Sequence, residues 1–202
     1  MQRDLIKSII GGVGGLALMC LLTGAAQSKE ADAPAMLVFI HPQDYSSEVS
    51  LRHYYYNYWV TQGPQVESAA KEVLGQAFGD VGMCQGNNPG KTLVWLRPSI
   101  FYNPLMKQYH GKIRASVYSG SGKPLATYIG EGQADGYLDM RLDRERKIAT
   151  VYKLAMAKVA EKMKADAALQ QELKTNVAPD NAPSPCAMVT LLPAPAVSVM
   201  SF

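Results

Sequence analysis

Lys112-Ile-Arg-Ala-Ser-Val-Tyr-Ser119, Gly120-Ser-Gly-Lys123 and Pro124-Leu-Ala-Thr-Tyr-Ile-Gly-Glu131 form the stretch on which the fold turns. Ile113, Ala115 and Val117 alternate with Arg114, Ser116 and Tyr118, so one strand face is apolar and the other polar. The chain then returns through Leu125, Thr127 and Ile129. Two alternating runs around Gly-Ser-Gly predict a β-hairpin. Upstream, Lys91 to Tyr102 alternates around Leu93, Trp95 and Arg97 as a third strand, with a bend expected at Pro98. Met36 to Ile40 is a short apolar run before Pro42 that suits a buried strand. Glu48 to Val60 reads as one further strand. Val49, Leu51, His53, Tyr55, Asn57 and Trp59 would share one face, with Arg52, Tyr54, Tyr56 and Tyr58 on the other.

Two helical stripes accompany these strands. Val66, Ala69, Ala70, Val73, Leu74, Ala77, Phe78 and Val81 follow the 3.6-residue period after Gly63-Pro64, with Gly79 and Gly82 marking the end. Cys84 to Gly90 follows as a loop. Ile148, Val151, Tyr152, Ala155, Met156, Val159, Ala160 and Met163 repeat that spacing within a helix expected over about Leu142 to Leu173. Four or five strands with two amphipathic helices predict an α+β, two-layer sandwich with an antiparallel or mixed sheet. The expected domain spans residues 36–175. Residues 176–202 are a Pro-rich C-terminal tail (Pro179, Pro183, Pro185, Pro193, Pro195), with Met188 to Leu192 expected along a sheet edge.

The first residues address the chain. Arg3 and Lys7 precede an apolar run, Ile9 to Leu22, followed by Thr23-Gly24-Ala25-Ala26. That order predicts a signal peptide over residues 1–26, cleaved before Gln27. The run is glycine-rich and short for a bilayer core of about 30 Å. Leu22-Thr23-Gly24-Ala25 matches a lipobox except that Ala25 replaces the lipidated cysteine, and Cys20 after Met19 suits that pattern poorly. Removal of residues 1–26 leaves 18 basic and 16 acidic residues and the cysteines Cys84 and Cys186. In an oxidising compartment these two most simply pair, the alternative being two unrelated thiols. A bridge closing a loop of about 100 residues gives up to about 4–5 kcal/mol in the chain-entropy model.

Of 202 residues, 48% are hydrophobic and 18% charged, with a formal charge of +3, which indicates a globular chain without the concentrated basic face that nucleic acid requires. Gly86-Asn-Asn-Pro-Gly90-Lys91-Thr92 imitates a phosphate loop, but the required glycine falls at position 85, which is Gln, and a strand follows. No nucleotide is expected. His41, His53 and His110 lack metal-site spacing. Ser119 and Ser121 are turn residues outside any nucleophile motif. Glu131, Asp135 and Asp139 match no calcium loop and read as solvated charge. The expectation is a protein without catalytic residues, cofactor or metal. The least ordinary feature is aromatic: Tyr54, Tyr56, Tyr58 and Trp59 form a candidate interface if they face outward, the alternative being half-burial under helices.

This order of elements resembles that of small bacterial envelope proteins: the ABC-type transport auxiliary lipoproteins, the YajG-type lipoproteins and the ring lipoprotein of the Pel polysaccharide exporter. The matching features are a lipobox-like export signal, a strand, the Val66 to Val81 helix and the strand with Trp95. They continue with the Gly-Ser-Gly hairpin, a Gly130-Glu131-Gly132 exit and helix 148–163, over roughly residues 36–165. The missing lipid-attachment cysteine and the tail with Cys186 depart from that pattern. The resemblance implies a non-enzymatic structural or accessory component of an envelope assembly for secretion, export or a surface appendage. Its place would be periplasmic or outer-membrane associated. Its partners would be envelope proteins or itself as a homo-oligomer, with membrane contact at most peripheral. The alternative is a periplasmic module binding a ligand or glycan.

Overall fold

The computed structural model describes residues 34, 36–88, 90–175 and 184–192. The expected signal peptide, and residues 176–183 and 193–202 of the expected tail, lie outside the described residues. The described order is β1 (Met36–Ile40), α1 (Pro42–Ser46), β2 (Glu48–Arg52), β3 (Asn57–Thr61), α2 (Gly63–Phe78) and β4 (Val81–Met83). It continues with β5 (Thr92–Asn103), β6 (Gln108–Ser119), β7 (Pro124–Asp135), α3 (Arg141–Ala165), α4 (Ala167–Thr175) and a 3₁₀ segment, Pro185–Leu191. The main sheet runs β4-β1-β5-β6-β7, while β2 and β3 pair separately. β1 is parallel to β4 and β5, and the β5–β6–β7 meander is antiparallel. The fold is therefore α+β with a mixed sheet, as the hydrophobic pattern predicts.

Alternation sorts the sheet into two faces. Val94, Leu96 and Ile100 of β5, with Ile113, Ala115 and Val117 of β6, are buried against α2 and α3. On β7 the set facing α3 includes Gly130 and Gly132, both buried. There the strand and helix backbones meet directly. A Cβ on Gly130 would lie 2.0 Å from the Ala155 carbonyl oxygen, and one on Gly132 would lie 2.2 Å from that of Val151. Gly111, opposite Gly132 in the register, would meet Val151 Cγ1 at 2.2 Å. Gly130-Glu131-Gly132 is thus no exit loop but the interior of β7, where absent side chains let α3 sit close.

The second face is covered near β1 and β5. Leu37, Phe39, Leu93 and Trp95 point away from the helices and are buried with Cys186, while Val189 and Leu192 pack beside them. Cys84 and Cys186 are joined in a disulfide with Cα atoms 5.5 Å apart. The 3₁₀ segment therefore lies over a sheet face rather than along an edge. Its first turn is capped by Ser184 Oγ, which accepts from the Cys186 N–H at 3.1 Å.

Four further expectations need correction. Glu48 to Val60 is not one strand: the chain reverses through His53–Tyr56, closed by the His53 N–H donating to the Tyr56 carbonyl at 2.8 Å. The long second helix breaks at Asp166, whose Oδ1 accepts from the Ala168 and Leu169 N–H groups and starts α4. Asp166 Oδ2 meanwhile accepts from Tyr128 OH at 2.7 Å. Val81 belongs to the short strand β4 rather than to the helical stripe. Pro98 lies inside β5 without ending it; it sits beyond Leu96, the last β5 residue paired with β1, where a missing N–H costs little. β7 ends the sheet, and Lys162 Nζ donates to the outward Ile129 carbonyl at 2.7 Å, placing a cation on the open strand.

Three stability measurements follow. Gly132→Ala is expected to lose about 2–3 kcal/mol in denaturant unfolding because overpacking meets backbone. Gly75→Ala, where nothing lies within 4 Å of the new Cβ, should gain about 0.5–1 kcal/mol inside α2. The double change Cys84→Ser with Cys186→Ser should cost about 2–5 kcal/mol. It should also shift Trp95 emission to the red as the 3₁₀ segment leaves its face.

Candidate interaction surface

The β2–β3 hairpin carries the aromatic cluster, and its register decides which rings are free. Leu51 pairs with Tyr58 and Val49 with Val60. These four form the inward face: Leu51 is fully buried, and the others pack against the core. Glu48, Ser50, Arg52, Asn57, Trp59 and Thr61 then fall on the outward face. Trp59 is 60% exposed there, beside Ser50. Tyr54, Tyr55 and Tyr56 occupy the reversal itself and are exposed by 58%, 82% and 63%. Their rings follow one another edge to face, at centroid separations of 6.5 Å and 6.3 Å.

Of the four candidate interface residues, Tyr54, Tyr56 and Trp59 are exposed, whereas Tyr58 is half-buried. The Arg144 guanidinium lies 4.7 Å from the centre of the Tyr58 ring, a cation–π contact that ties the hairpin to α3. The expected strand faces separated Tyr54, Tyr56 and Tyr58 from Trp59. The four-residue reversal takes Tyr54 and Tyr56 off both faces and puts Trp59 on the face opposite Val49 and Leu51, while Tyr58 and Trp59 remain on opposite faces of β3.

The underside of this end is a layer of tyrosine and arginine bonds. Tyr102 OH donates to the Gly136 carbonyl at 3.1 Å, and Tyr109 OH donates to that of Tyr137 at 2.9 Å. Arg144 Nη1 donates to the Leu138 carbonyl at 2.7 Å. Burial pushes the Tyr109 phenol well above its ordinary range, so it remains a neutral donor. Tyr102 is raised in the same direction, again first by burial. Three consecutive carbonyls after β7 are thus each held by a buried or half-buried donor, and Leu138 is itself buried.

The remaining residues singled out by chemistry stay apart. His41 Nδ1 accepts from the Gln43 N–H at 3.2 Å and caps α1. His53 sits in the hairpin reversal, its ring 5.5 Å from that of Tyr54. His110 stacks on Phe101 at 4.5 Å. Ser119 and Ser121 bond one another at 2.9 Å within the β6–β7 turn. Glu131 pairs with Lys112 at 3.0 Å, and Asp135 accepts from Gln108 at 2.9 Å. Gly86 to Gly90 leads into β5, not into a helix. Among the described residues no group of three His, Cys, Asp or Glu side chains could hold a metal ion. No described helix is long and apolar enough to cross a membrane.

One open cleft of about 410 Å³ lies beyond β1, lined by residues including Phe39, Tyr45, Glu67, Met83 and Gln85. Tyr45 OH donates to Glu67 Oε2 at 2.9 Å, and Lys71 donates to Oε1 at 2.6 Å. The Lys71 bond holds the Glu67 carboxyl below the usual range. Neither Tyr55 nor Trp59 lines this cleft. Sequence reasoning missed Leu105, Met106, Tyr137, Met140 and Leu142, all more than half exposed at the same end of the sheet. The available signal was Asn103-Pro104-Leu105-Met106-Lys107, which places large apolar residues in a turn.

No family model and no curated protein matches the chain. Among solved structures, a Xanthomonas campestris protein of family DUF330 aligns at 10% identity and a TM-score of 0.44, covering 72% of this chain and 93% of its own. A candidate lipoprotein from Caulobacter crescentus aligns at 12% identity and a TM-score of 0.33, covering 56% and 84% respectively. Both scores lie below 0.5, and neither likeness assigns a function to this chain.

Proposed function

We propose that the protein is a non-enzymatic accessory component of a bacterial envelope assembly and works through protein–protein contacts at the β2–β3 hairpin. The observation that carries this reading is the exposure of Tyr54, Tyr56 and Trp59, at 58%, 63% and 60%, on a hairpin whose opposite face is buried. A hairpin anchored by Leu51 and by Arg144 on Tyr58 presents those rings with little ordering left to lose on binding. Tyr and Trp offer large contact area with few rotatable bonds, and they dominate binding hot spots. An envelope location is supported by the expected export signal and by the Cys84–Cys186 bridge, a cross-link suited to an oxidising compartment. The resemblance in element order to the auxiliary and exporter lipoproteins favours a secretion or export machine, with other envelope proteins or further copies of this chain as partners.

Light scattering on the purified chain tests the reading, supported by tryptophan emission. Trp95 is 2% exposed, so a blue shift on association would report Trp59. The expected result is a species heavier than a monomer, or a stoichiometric envelope partner. Its dissociation constant should rise at least about tenfold in Tyr56→Ser with Trp59→Ser, while the melting temperature stays unchanged. A strict monomer without a partner, or association indifferent to both substitutions, would contradict it.

A further inference from the structure

The 3₁₀ segment Pro185–Leu191 covers part of one sheet face with few holds of its own. Pro185 and Cys186 are buried, Met188, Val189 and Leu192 are half-buried, and Ala187, Thr190 and Leu191 are exposed. Its backbone bonds stay inside it: the Ala187 N–H donates to the Ser184 carbonyl, and the Leu192 N–H to that of Val189. Among the described residues a single hydrogen bond reaches outward, from Ser184 Oγ to the Asn88 carbonyl. The covalent hold is the Cys84–Cys186 bridge, which joins positions 102 apart in sequence.

The covered patch is apolar and incompletely satisfied. Leu37, Phe39, Leu93 and Trp95 are buried there with Cys186. The indole N–H of Trp95 is buried without an acceptor. An unpaired buried donor costs free energy that exposure to water restores. The two sulfurs of the bridge also differ in access. Cys186 is 4% exposed, whereas Cys84 is half-buried and lines the open cleft of about 410 Å³ beyond β1. Thiol–disulfide exchange proceeds by thiolate attack on one sulfur, and access helps to decide which.

We propose that the Cys84–Cys186 bridge is a thiol–disulfide exchange site, entered at Cys84 by a dithiol from the cleft, and that its opening releases the 3₁₀ segment from the sheet face. One thiolate of the dithiol attacks Cys84 Sγ and forms a new sulfur–sulfur bond there. The Cys84–Cys186 bond breaks, and its electron pair leaves on Cys186 Sγ, which takes a proton from water. The second thiol of the dithiol loses its proton to water and attacks the dithiol's own sulfur in the mixed disulfide. Cys84 is expelled as a thiolate and is protonated in turn. The dithiol ends as a disulfide, and Cys84 and Cys186 end as two thiols. Holding the segment on the sheet then costs the chain entropy that the bridge had removed. One hydroxyl bond and a few partly covered apolar side chains are left to oppose that cost. Exchange uses no residue of the β2–β3 hairpin, so it stands or falls apart from the hairpin contact.

Reduction of the purified, oxidised full chain without denaturant tests this. Brief exposure to glutathione, quenched with iodoacetamide, should place the glutathione adduct on Cys84 at least about tenfold over Cys186 by peptide mass. Gln85→Glu, beside Cys84 on the cleft wall, should slow that step about twofold to threefold by setting a like charge near the attacking thiolate, with the melting temperature unchanged. Dithiothreitol should open the bridge fully. In a Trp59→Phe chain, where Trp95 is the only tryptophan, iodide quenching should then rise at least about threefold and fall back on reoxidation. The proposal is overturned if the bridge is reduced only in denaturant, if the adduct forms on Cys186, or if Trp95 stays shielded after reduction. Loss of far-ultraviolet circular dichroism on reduction would overturn it as well, by showing that the bridge holds the whole fold rather than the segment.

Discussion

The seat of α3 on the glycines of β6 and β7 is the constraint from which the rest of the molecule is positioned. Gly130 and Gly132 bring the strand against the Ala155 and Val151 carbonyls, at distances that no side chain could occupy. With that approach fixed, Ile148, Val151, Met156, Val159 and Met163 are fully or almost fully buried against the sheet and α2. Each such side chain contributes about 1.5–3 kcal/mol, against about 1 kcal/mol for a single hydrogen bond. Packing therefore decides that α3 lies here. Polar contacts at its two ends and middle decide what it holds: Arg144 reaches the hairpin ring of Tyr58, Tyr152 OH donates to Gln62 before α2, and Asp166 accepts from Tyr128.

The opposite face depends on a different device. β1 is apolar on both sides, and the helices cover only Met36, Val38 and Ile40. Leu37 and Phe39, with Leu93 and Trp95, are covered from the C-terminal side of the chain, and the cross-link to Cys84 keeps the 3₁₀ segment in place. A few side chains of a short 3₁₀ segment would hold that position weakly by burial alone. The disulfide removes the open chain as a competitor.

Much of this architecture could be read from residue patterns, and the failures have physical causes. Gly120-Ser121-Gly122 announces its turn because glycine and serine chemistry demands one. His53-Tyr54-Tyr55-Tyr56 closes a reversal with no glycine, proline, asparagine or aspartate, so the alternating pattern reads straight through it. That error misplaced the aromatic face. Asp166 interrupts a helical pattern that continues on either side, because a side chain capping its own downstream N–H groups leaves the period intact. Gly130 and Gly132 looked like an exit because close backbone approach and turn formation use the same residue. The exposed apolar turns went unread because exposure depends on neighbours that only the tertiary arrangement supplies.

The aromatic end joins these threads: α3 supplies Arg144, the meander supplies Tyr102 and Tyr109, and together they hold the connection that carries Tyr137 and Met140. Its central property is rigidity before any partner arrives. Amide hydrogen exchange at Gly136 measures this most directly, because its N–H joins the β7–α3 connection to the β5–β6 turn by donating to the Lys107 carbonyl. The account predicts exchange slowed to the range of the β6–β7 ladder in the isolated chain. Exchange at the rate of an open loop, with the ladder itself protected, would contradict a surface built in advance of its contacts.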